Sequence, residues 1–93
     1  MDGLERAKLK DKVLRFLLRN RNCEHIRFYI ALGKPTLYVD DFLNLGLEIH
    51  RYEPYILNIH SFNGDIFFDR TELTATFLEN GGFTAIEEGL AED

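Results

Sequence analysis

The chain has a single cysteine and no long hydrophobic run, and each scarcity excludes a class of protein. Because Cys23 has no partner cysteine, no disulfide can form within the chain, which fits a reducing compartment. No uncharged segment approaches the roughly 18 apolar residues that a membrane-spanning helix needs. The N-terminal apolar stretch is interrupted by Arg15 and mixed with acidic residues, unlike a signal peptide. We therefore expect a cytoplasmic protein with no membrane segment.

Motifs for metal, nucleotide or covalent chemistry are also missing. The three histidines show no His-x-x-x-His spacing, and no cysteine pair completes a zinc site. Gly81-Gly82 follows a predicted helix rather than a strand, so it reads as a stop signal and not a phosphate loop. A nucleophilic Cys23 needs a base, and His25 would share its strand face, but no third group orients the histidine. We expect no cofactor, no metal and no enzymatic activity.

What the chain does have is enough apolar material for one core. Hydrophobic residues make up 45% of the 93, including eight Phe and four Tyr. A chain of this length forms one domain, and its aromatic content is unlike that of a disordered protein. We predict a single α+β domain over residues 1–93, in which residues 84–93 form an acidic tail that frays.

The N-terminal segment predicts an amphipathic helix over residues 4–21. Its apolar side chains fall on one broad face at 100° per residue, and Asn20-Arg21-Asn22 is a plausible stop. The opposite face carries a basic stripe, which we define as Lys8, Lys12, Arg15 and Arg19.

Two alternating segments, residues 24–31 and 36–39, predict a pair of strands. In that hairpin Tyr29 lies beside Tyr38 on the outer face. Residues 40–46 stay open: Asp40 caps one helical turn that ends near Gly46, or the chain runs on extended.

Residues 45–68 predict three antiparallel strands, joined at Glu53-Pro54 and at Asn63-Gly64. Asn-Gly is typical of a type I′ hairpin turn and pairs Ser61 with Ile66 and Ile59 with Phe68. The hydrophobic pattern selects the register in which Leu47 opposes Ile59 and Ile49 opposes Leu57. The outer face then carries Glu48, His50, Ile56, Asn58, His60 and Phe67.

A second helix follows the sheet in this interpretation. Asp69 caps it, Glu72 completes a capping box, and Gly81 ends it in the left-handed conformation. The predicted fold is thus an N-terminal helix, an antiparallel meander of about five strands and a C-terminal helix, with both helices on the inner face.

Charge is distributed unevenly between the two parts of the chain. Residues 1–34 hold nine of the eleven basic residues against four acids, a net charge of +5. Residues 35–93 hold two basic residues against twelve acids, a net charge of −10, which accounts for the overall −5. Such asymmetry is typical of a polyanion-binding element or of an acidic surface for a partner.

The outer sheet face is more apolar than a fully solvated surface, which favours a partner-binding role. We therefore predict a non-enzymatic regulatory or inhibitory protein that acts through protein–protein contacts as a homodimer, self-complementary dimers being the commonest assembly. The predicted partner-binding residues are Tyr29, Tyr38, Glu48, His50, Ile56, His60 and Phe67.

Two alternatives remain. Nucleic acid would bind the basic stripe Lys8, Lys12, Arg15 and Arg19 through phosphate contacts, against an overall charge of −5. A small enzyme would use Glu48, His50 and His60 as acid–base groups on one sheet face. In the predicted register His50 and His60 lie four rungs apart, so one metal ion cannot bind both.

Overall fold

The computed structural model describes residues 2–52 and 55–92, and within them an α+β fold of five helices and one antiparallel sheet. The sheet has three strands in the order β1-β3-β2, not the five predicted. The elements in chain order are α1 (Gly3–Arg19), β1 (Cys23–Glu24), α2 (His25–Ala31), α3 (Val39–His50), β2 (Leu57–Phe62), β3 (Asp65–Arg70), α4 (Thr74–Glu79) and α5 (Gly82–Glu92).

The N-terminal helix is confirmed. The Asp2 carboxylate accepts a hydrogen bond from the Glu5 N–H at 2.7 Å and so caps the start of α1. Asn20 ends the helix, as its backbone N–H still bonds the Phe16 carbonyl while its own φ and ψ are extended. The apolar face of α1 is buried, and the basic stripe on the other side is exposed.

The predicted strand over residues 24–31 is wrong, because this segment is helical from His25. The Glu24 carboxylate caps α2 by accepting from the N–H groups of Ile26 and Arg27 at 3.1 and 3.0 Å. Ile26 and Ile30, four residues apart, share a face in a strand and in a helix alike, so the pattern is ambiguous over so short a segment. The Tyr29–Tyr38 cross-strand pair therefore does not form.

The predicted strand over residues 45–51 is also wrong, and so is the strand over 36–39. Residues 39–50 form α3, whose Phe42, Leu45, Gly46 and Ile49 are all buried. Their spacing of i, i+3, i+4 and i+7 is that of a helical face. The predicted pairing of residues 47 and 49 with β2 is consequently absent, and the predicted turn at Glu53-Pro54 lies outside the described residues.

The Asn63-Gly64 hairpin is confirmed, including its register. Ser61 pairs with Ile66 and Ile59 with Phe68, and His60 lies opposite Phe67. Both turn residues have positive φ, 51° at Asn63 and 84° at Gly64. A type I′ turn requires that conformation, which Asn and Gly adopt at little cost.

The segment after the sheet differs from the predicted single helix. Asp69 lies within β3 and caps nothing there, so the predicted capping box is wrong. The following turn is held by threonines, as the Thr71 N–H donates to Thr74 Oγ1 and the Leu73 N–H to Thr71 Oγ1. Helix α4 ends before Gly81, whose φ is 101°, and α5 continues to Glu92 where a frayed tail was expected.

Helices α1, α2 and α3 cover one side of the sheet through an aromatic core. The Phe28 ring lies 4.8 Å from Phe16, 5.4 Å from Phe42 and 5.9 Å from Phe68 between centroids. Phe68 is the strand residue that points into this core, and Gly46 of α3 lies against its ring. This arrangement defines the inner side of the sheet.

Candidate interaction surface

The sheet side opposite Phe68 forms the candidate surface. From here on, the outer face means this side of the observed three-stranded sheet. Alternation along β2 and β3 places on it Asn58, His60, Phe62, Asp65 and Phe67. The helices of the core lie on the inner side, where Phe68 packs. The outer face thus presents side chains of the hairpin to solvent.

An aromatic strip runs along the outer face. The rings of His60 and Phe67 stack with centroids 5.5 Å apart and planes 12° apart. Phe62, the next residue on the same side of β2, leaves 65% of its surface exposed. An exposed aromatic beside a stacked pair is typical of contact surfaces, where rigid rings contribute much of the binding energy.

Carboxylates border this strip at its β1 end. A depression of about 460 Å³ is lined by Glu24, Ile26, Arg27, Asp65 and Phe67. Ile26 exposes nearly half of its surface, so the depression presents apolar side chains as well as charged ones. Burial raises the pKa of Glu24, but hydrogen bonds from the Arg27 and Ile26 N–H groups and the charges of His25 and Arg27 lower it more, so the net pKa lies below its ordinary value.

Of the seven predicted partner-binding residues, His60 and Phe67 lie on the outer face. Tyr29 and Ile56 do not, because they are 7% and 0% exposed and belong to the core. The Tyr29 hydroxyl donates to the Thr36 carbonyl. Their placement on a sheet surface was therefore wrong, since each side chain is enclosed by the fold.

Tyr38, Glu48 and His50 are also off the sheet. Tyr38 is exposed at the N-cap of α3. Glu48 forms ion pairs with Arg6 at 2.7 Å and Lys10 at 3.7 Å, and His50 Nδ1 donates to the Leu57 carbonyl at 2.7 Å. The predicted acid–base face of Glu48, His50 and His60 does not form, because the first two lie on α3 and the third on β2.

Cys23 lies at the edge of the sheet, on β1. Burial, and then the negative charge of Asp69, raise the pKa of its thiol. Its Sγ donates to the Asn20 carbonyl at 3.2 Å, whereas His25 is the first residue of α2 rather than a strand neighbour. A thiol held protonated is a poor nucleophile.

Neither a metal cluster nor a transmembrane helix is found in residues 2–52 and 55–92. No group of three or more His, Cys, Asp or Glu side chains there is arranged to hold a metal ion. None of the helices in the same ranges has the length and apolar character to cross a membrane.

The basic stripe borders a groove on the helical side of the molecule. Lys8, Lys12, Arg15 and Arg19 are exposed, and none forms an ion pair within the described residues. A groove of about 350 Å³ lies beside them. It is lined by Lys12, Arg15, Phe16, Arg19, Asn20 and Leu32.

Phe62 on the outer face and Ile26 in the depression beside Phe67 were missed by sequence reasoning. Phe62 has the same parity as His60 and flanks the Asn63-Gly64 turn, so the hairpin register alone was sufficient to find it. Ile26 belonged to the predicted strand over residues 24–31, on the side opposite Tyr29, and in the structure it lies on α2 with nearly half of its surface exposed.

Comparison of the chain with models of known protein families, with curated proteins and with solved structures finds no match in any of the three.

Proposed function

We propose that this chain is a non-enzymatic regulatory or inhibitory protein that acts through protein–protein contacts on its outer face, in a reducing, cytoplasmic setting. The observation that carries the proposal is Phe62, 65% exposed beside the stacked His60 and Phe67. Leaving such a ring in water is unfavourable, and covering the exposed 65% of it on binding gains about 1–2 kcal/mol.

The charges around the strip suggest what kind of partner fits. Two carboxylates, Glu24 and Asp65, and one cation, Arg27, line the depression together with Phe67 and Ile26, so its charge is net negative. A protein segment that carries apolar side chains next to Lys or Arg would bury its apolar groups there and pair its charges at the rim. Charge at the rim governs the association rate and partner choice more than the affinity.

A site-specific photocrosslinker tests this proposal. Benzoylphenylalanine replaces Phe62 in cells that express the protein, and the control carries it at Thr76, which is exposed on α4. We expect a discrete crosslinked protein from position 62 and not from position 76. That protein, once purified, should bind Phe62→Glu at least about tenfold more weakly than wild type, because removing a hot-spot aromatic costs 2 kcal/mol or more.

The proposal fails if positions 62 and 76 capture the same proteins, or if Phe62→Glu binds the captured protein as tightly as Thr76→Glu does. The two glutamate variants carry the same charge change, so a general electrostatic effect would weaken both equally.

Nucleic-acid binding is a second candidate, favoured by the exposure of the whole basic stripe without ion pairs among the described residues. Lys12, Arg15 and Arg19 also line one groove with Phe16, whose ring lies beside the charges. The overall charge of −5 opposes this candidate, since it repels a polyanion from the rest of the surface.

A salt titration separates the two candidates. If all four cations contact phosphates, affinity for a duplex should fall about 100-fold between 50 and 200 mM salt. Arg15→Glu should abolish that binding, whereas Arg51→Glu, an equal charge change away from the stripe, should weaken it far less. If no nucleic acid binds at 50 mM salt, the nucleic-acid candidate is excluded. The protein–protein candidate does not depend on that result.

A further inference from the structure

Strand β2 is an edge of the sheet, and the hairpin register determines which of its backbone groups point outward. The type I′ turn bonds the Phe62 carbonyl to the Asp65 N–H. Antiparallel pairing then alternates, so Asn58, His60 and Phe62 bond to β3 while Leu57, Ile59 and Ser61 direct their N–H and C=O groups away from it. The hydrogen bond from His50 to the Leu57 carbonyl, on that outward side, agrees with this parity.

The outward groups of Ile59 and Ser61 are available. Within the described residues, no hydrogen bond outside the sheet reaches the N–H or C=O of either residue. Strand β2 contains no Lys, Arg, Asp, Glu or Pro, which are the residues that usually block edge pairing in natural sheets. The strand is exposed from His60 to Phe62. The backbone groups of Ile59 and Ser61 can therefore bond to another strand at this edge.

We propose that a second copy of this chain pairs with β2, antiparallel and about a two-fold axis at His60, so that two three-stranded sheets become one of six. This inference rests on the proposed function and deepens it, because it gives the homodimer predicted from the sequence a defined interface beside the outer face. Ile59 lies opposite Ser61 of the second copy, and Ser61 opposite its Ile59. Each such pair exchanges both backbone hydrogen bonds.

This register uses the outward groups of both Ile59 and Ser61 and leaves the existing hydrogen bond to the Leu57 carbonyl intact. A two-fold axis at Ile59 would set Ser61 against Leu57 of the second copy, whose carbonyl already accepts from His50. With the axis at His60, that bond survives in both copies. Since β2 has no carboxylate, ammonium or guanidinium, no like-charged side chains of β2 face each other across the axis.

The second copy also extends the outer face. The pairing sets Phe62 of each copy opposite Asn58 of the other, on the same side as the stacked His60 and Phe67. The two aromatic strips then meet at the axis as one continuous surface. A partner protein would contact both copies, which explains why an exposed aromatic lies at the end of an edge strand.

Engineered disulfides test the register directly. In a Cys23→Ser background, His60→Cys faces its own counterpart across a non-hydrogen-bonded pair, where Cα atoms about 4.5 Å apart permit a disulfide. Asn58→Cys is the matched control on the same face. Its counterpart lies roughly 13 Å away along the strands, too far for a disulfide. We expect mild oxidation to link His60→Cys and not Asn58→Cys, measured by non-reducing electrophoresis.

Light scattering and sedimentation test the hydrogen bonds. Ser61→Pro removes one outward N–H from each copy, and proline is tolerated where an edge N–H faces outward. We expect it to raise the dimer dissociation constant at least tenfold with the circular dichroism spectrum unchanged, whereas Ser61→Ala stays dimeric. The inference is overturned if wild type is monomeric, if Ser61→Pro dimerises as wild type does, or if His60→Cys links no better than Asn58→Cys. The crosslink from position 62 to a partner protein survives those outcomes, so the two proposals fail separately.

Discussion

At the scale of single residues, Glu24 shows how one side chain decides between strand and helix. Its carboxylate accepts the N–H groups of Ile26 and Arg27 and thereby satisfies two of the free donors at the start of α2. Without that cap, a seven-residue helix has little to keep its first turn closed. The alternating pattern of apolar and polar residues over 24–31 does not indicate these two hydrogen bonds, so it could not predict the helix.

The cap makes part of the stability of the protein dependent on pH. Because the pKa of Glu24 is lowered in the folded state, its contribution is present above the unfolded pKa near 4.3 and is lost as the pH falls through the folded value. Glu24→Ala should lower the free energy of unfolding by about 1 kcal/mol at pH 7. Urea titrations should show this difference shrinking by pH 3. Glu72→Ala, at an exposed acid, is the control, and an equal loss for Glu24→Ala at both pH values would contradict the prediction.

Cys23 should react slowly with thiol reagents. Burial and the charge of Asp69 raise its pKa, so a smaller fraction is thiolate at pH 8 than in free cysteine. We expect the folded protein to reduce Ellman's reagent at least about threefold more slowly than the urea-unfolded chain. Asp69→Asn should speed the folded reaction, and equal rates for folded and unfolded chains would show that the thiol is not protected.

At the scale of elements, Gly46 determines how closely α3 approaches the sheet. A Cβ at this position would overlap the ring of Phe68, which is itself held between Phe28 and Phe42. The ring cannot move aside without disturbing the aromatic core. Glycine is thus required by close approach, although it weakens a helix interior.

Gly46→Ala should destabilise the protein despite the better helix propensity of alanine. Overpacking costs about 1–3 kcal/mol, and the propensity gain of about 1 kcal/mol offsets only part of it. Denaturant unfolding should therefore show a net loss. Gly89→Ala, on α5 with open space around its Cβ position, should instead be neutral or stabilising, and the reverse order of the two variants would contradict this packing.

Elements with a strong local signal were predictable from the sequence, and those defined by tertiary contacts were not. The α1 pattern repeats over four turns, and Asn63-Gly64 admits few turn types, so the helix and the hairpin register were correct. Helix α3 was predicted wrongly because its apolar face begins at Phe42. That residue lies within residues 40–46, for which the sequence allowed either one helical turn or an extended chain. The candidate surface was predicted to the same extent. His60 and Phe67 were found because the hairpin register was correct. Tyr29 was misplaced because its segment is a helix, and Ile56 because β2 begins only at Leu57 and Ile56 is buried before it.

At the scale of the whole molecule, contacts between the basic and acidic parts of the chain attach α1 to α3 and to α5. Glu48 of the acidic part pairs with Arg6 and Lys10 on α1. Asp11 lies in the basic part, on α1. Its carboxylate accepts hydrogen bonds from the N–H groups of Phe83 and Thr84 at the start of α5, 72 residues further along the chain for Phe83. The charge asymmetry of the sequence is thus partly structural and does not by itself indicate a ligand.

Asp11 is the residue through which α5 docks onto α1. It is 2% exposed and accepts three hydrogen bonds, including one from the Thr84 hydroxyl at 2.6 Å. Removing the carboxylate leaves two N–H groups without their acceptor at a helix start. Asp11→Ala should therefore lower the free energy of unfolding by at least about 3 kcal/mol, as buried bonds to a charged group are the costly ones to lose.

Hydrogen exchange distinguishes loss of this cap from general destabilisation. In Asp11→Ala the amides of Phe83 and Thr84 should accelerate by more than the loss of global stability accounts for, while the amides of the β2–β3 hairpin should accelerate only by the factor that this loss sets. Asp65→Ala, an exposed aspartate on the hairpin, is the matched control and should leave both sets unchanged. Uniform acceleration across the chain would mean that α5 unfolds only with the whole domain. Selective acceleration at residues 83 and 84 would show that one buried carboxylate on the first helix holds the last helix in place.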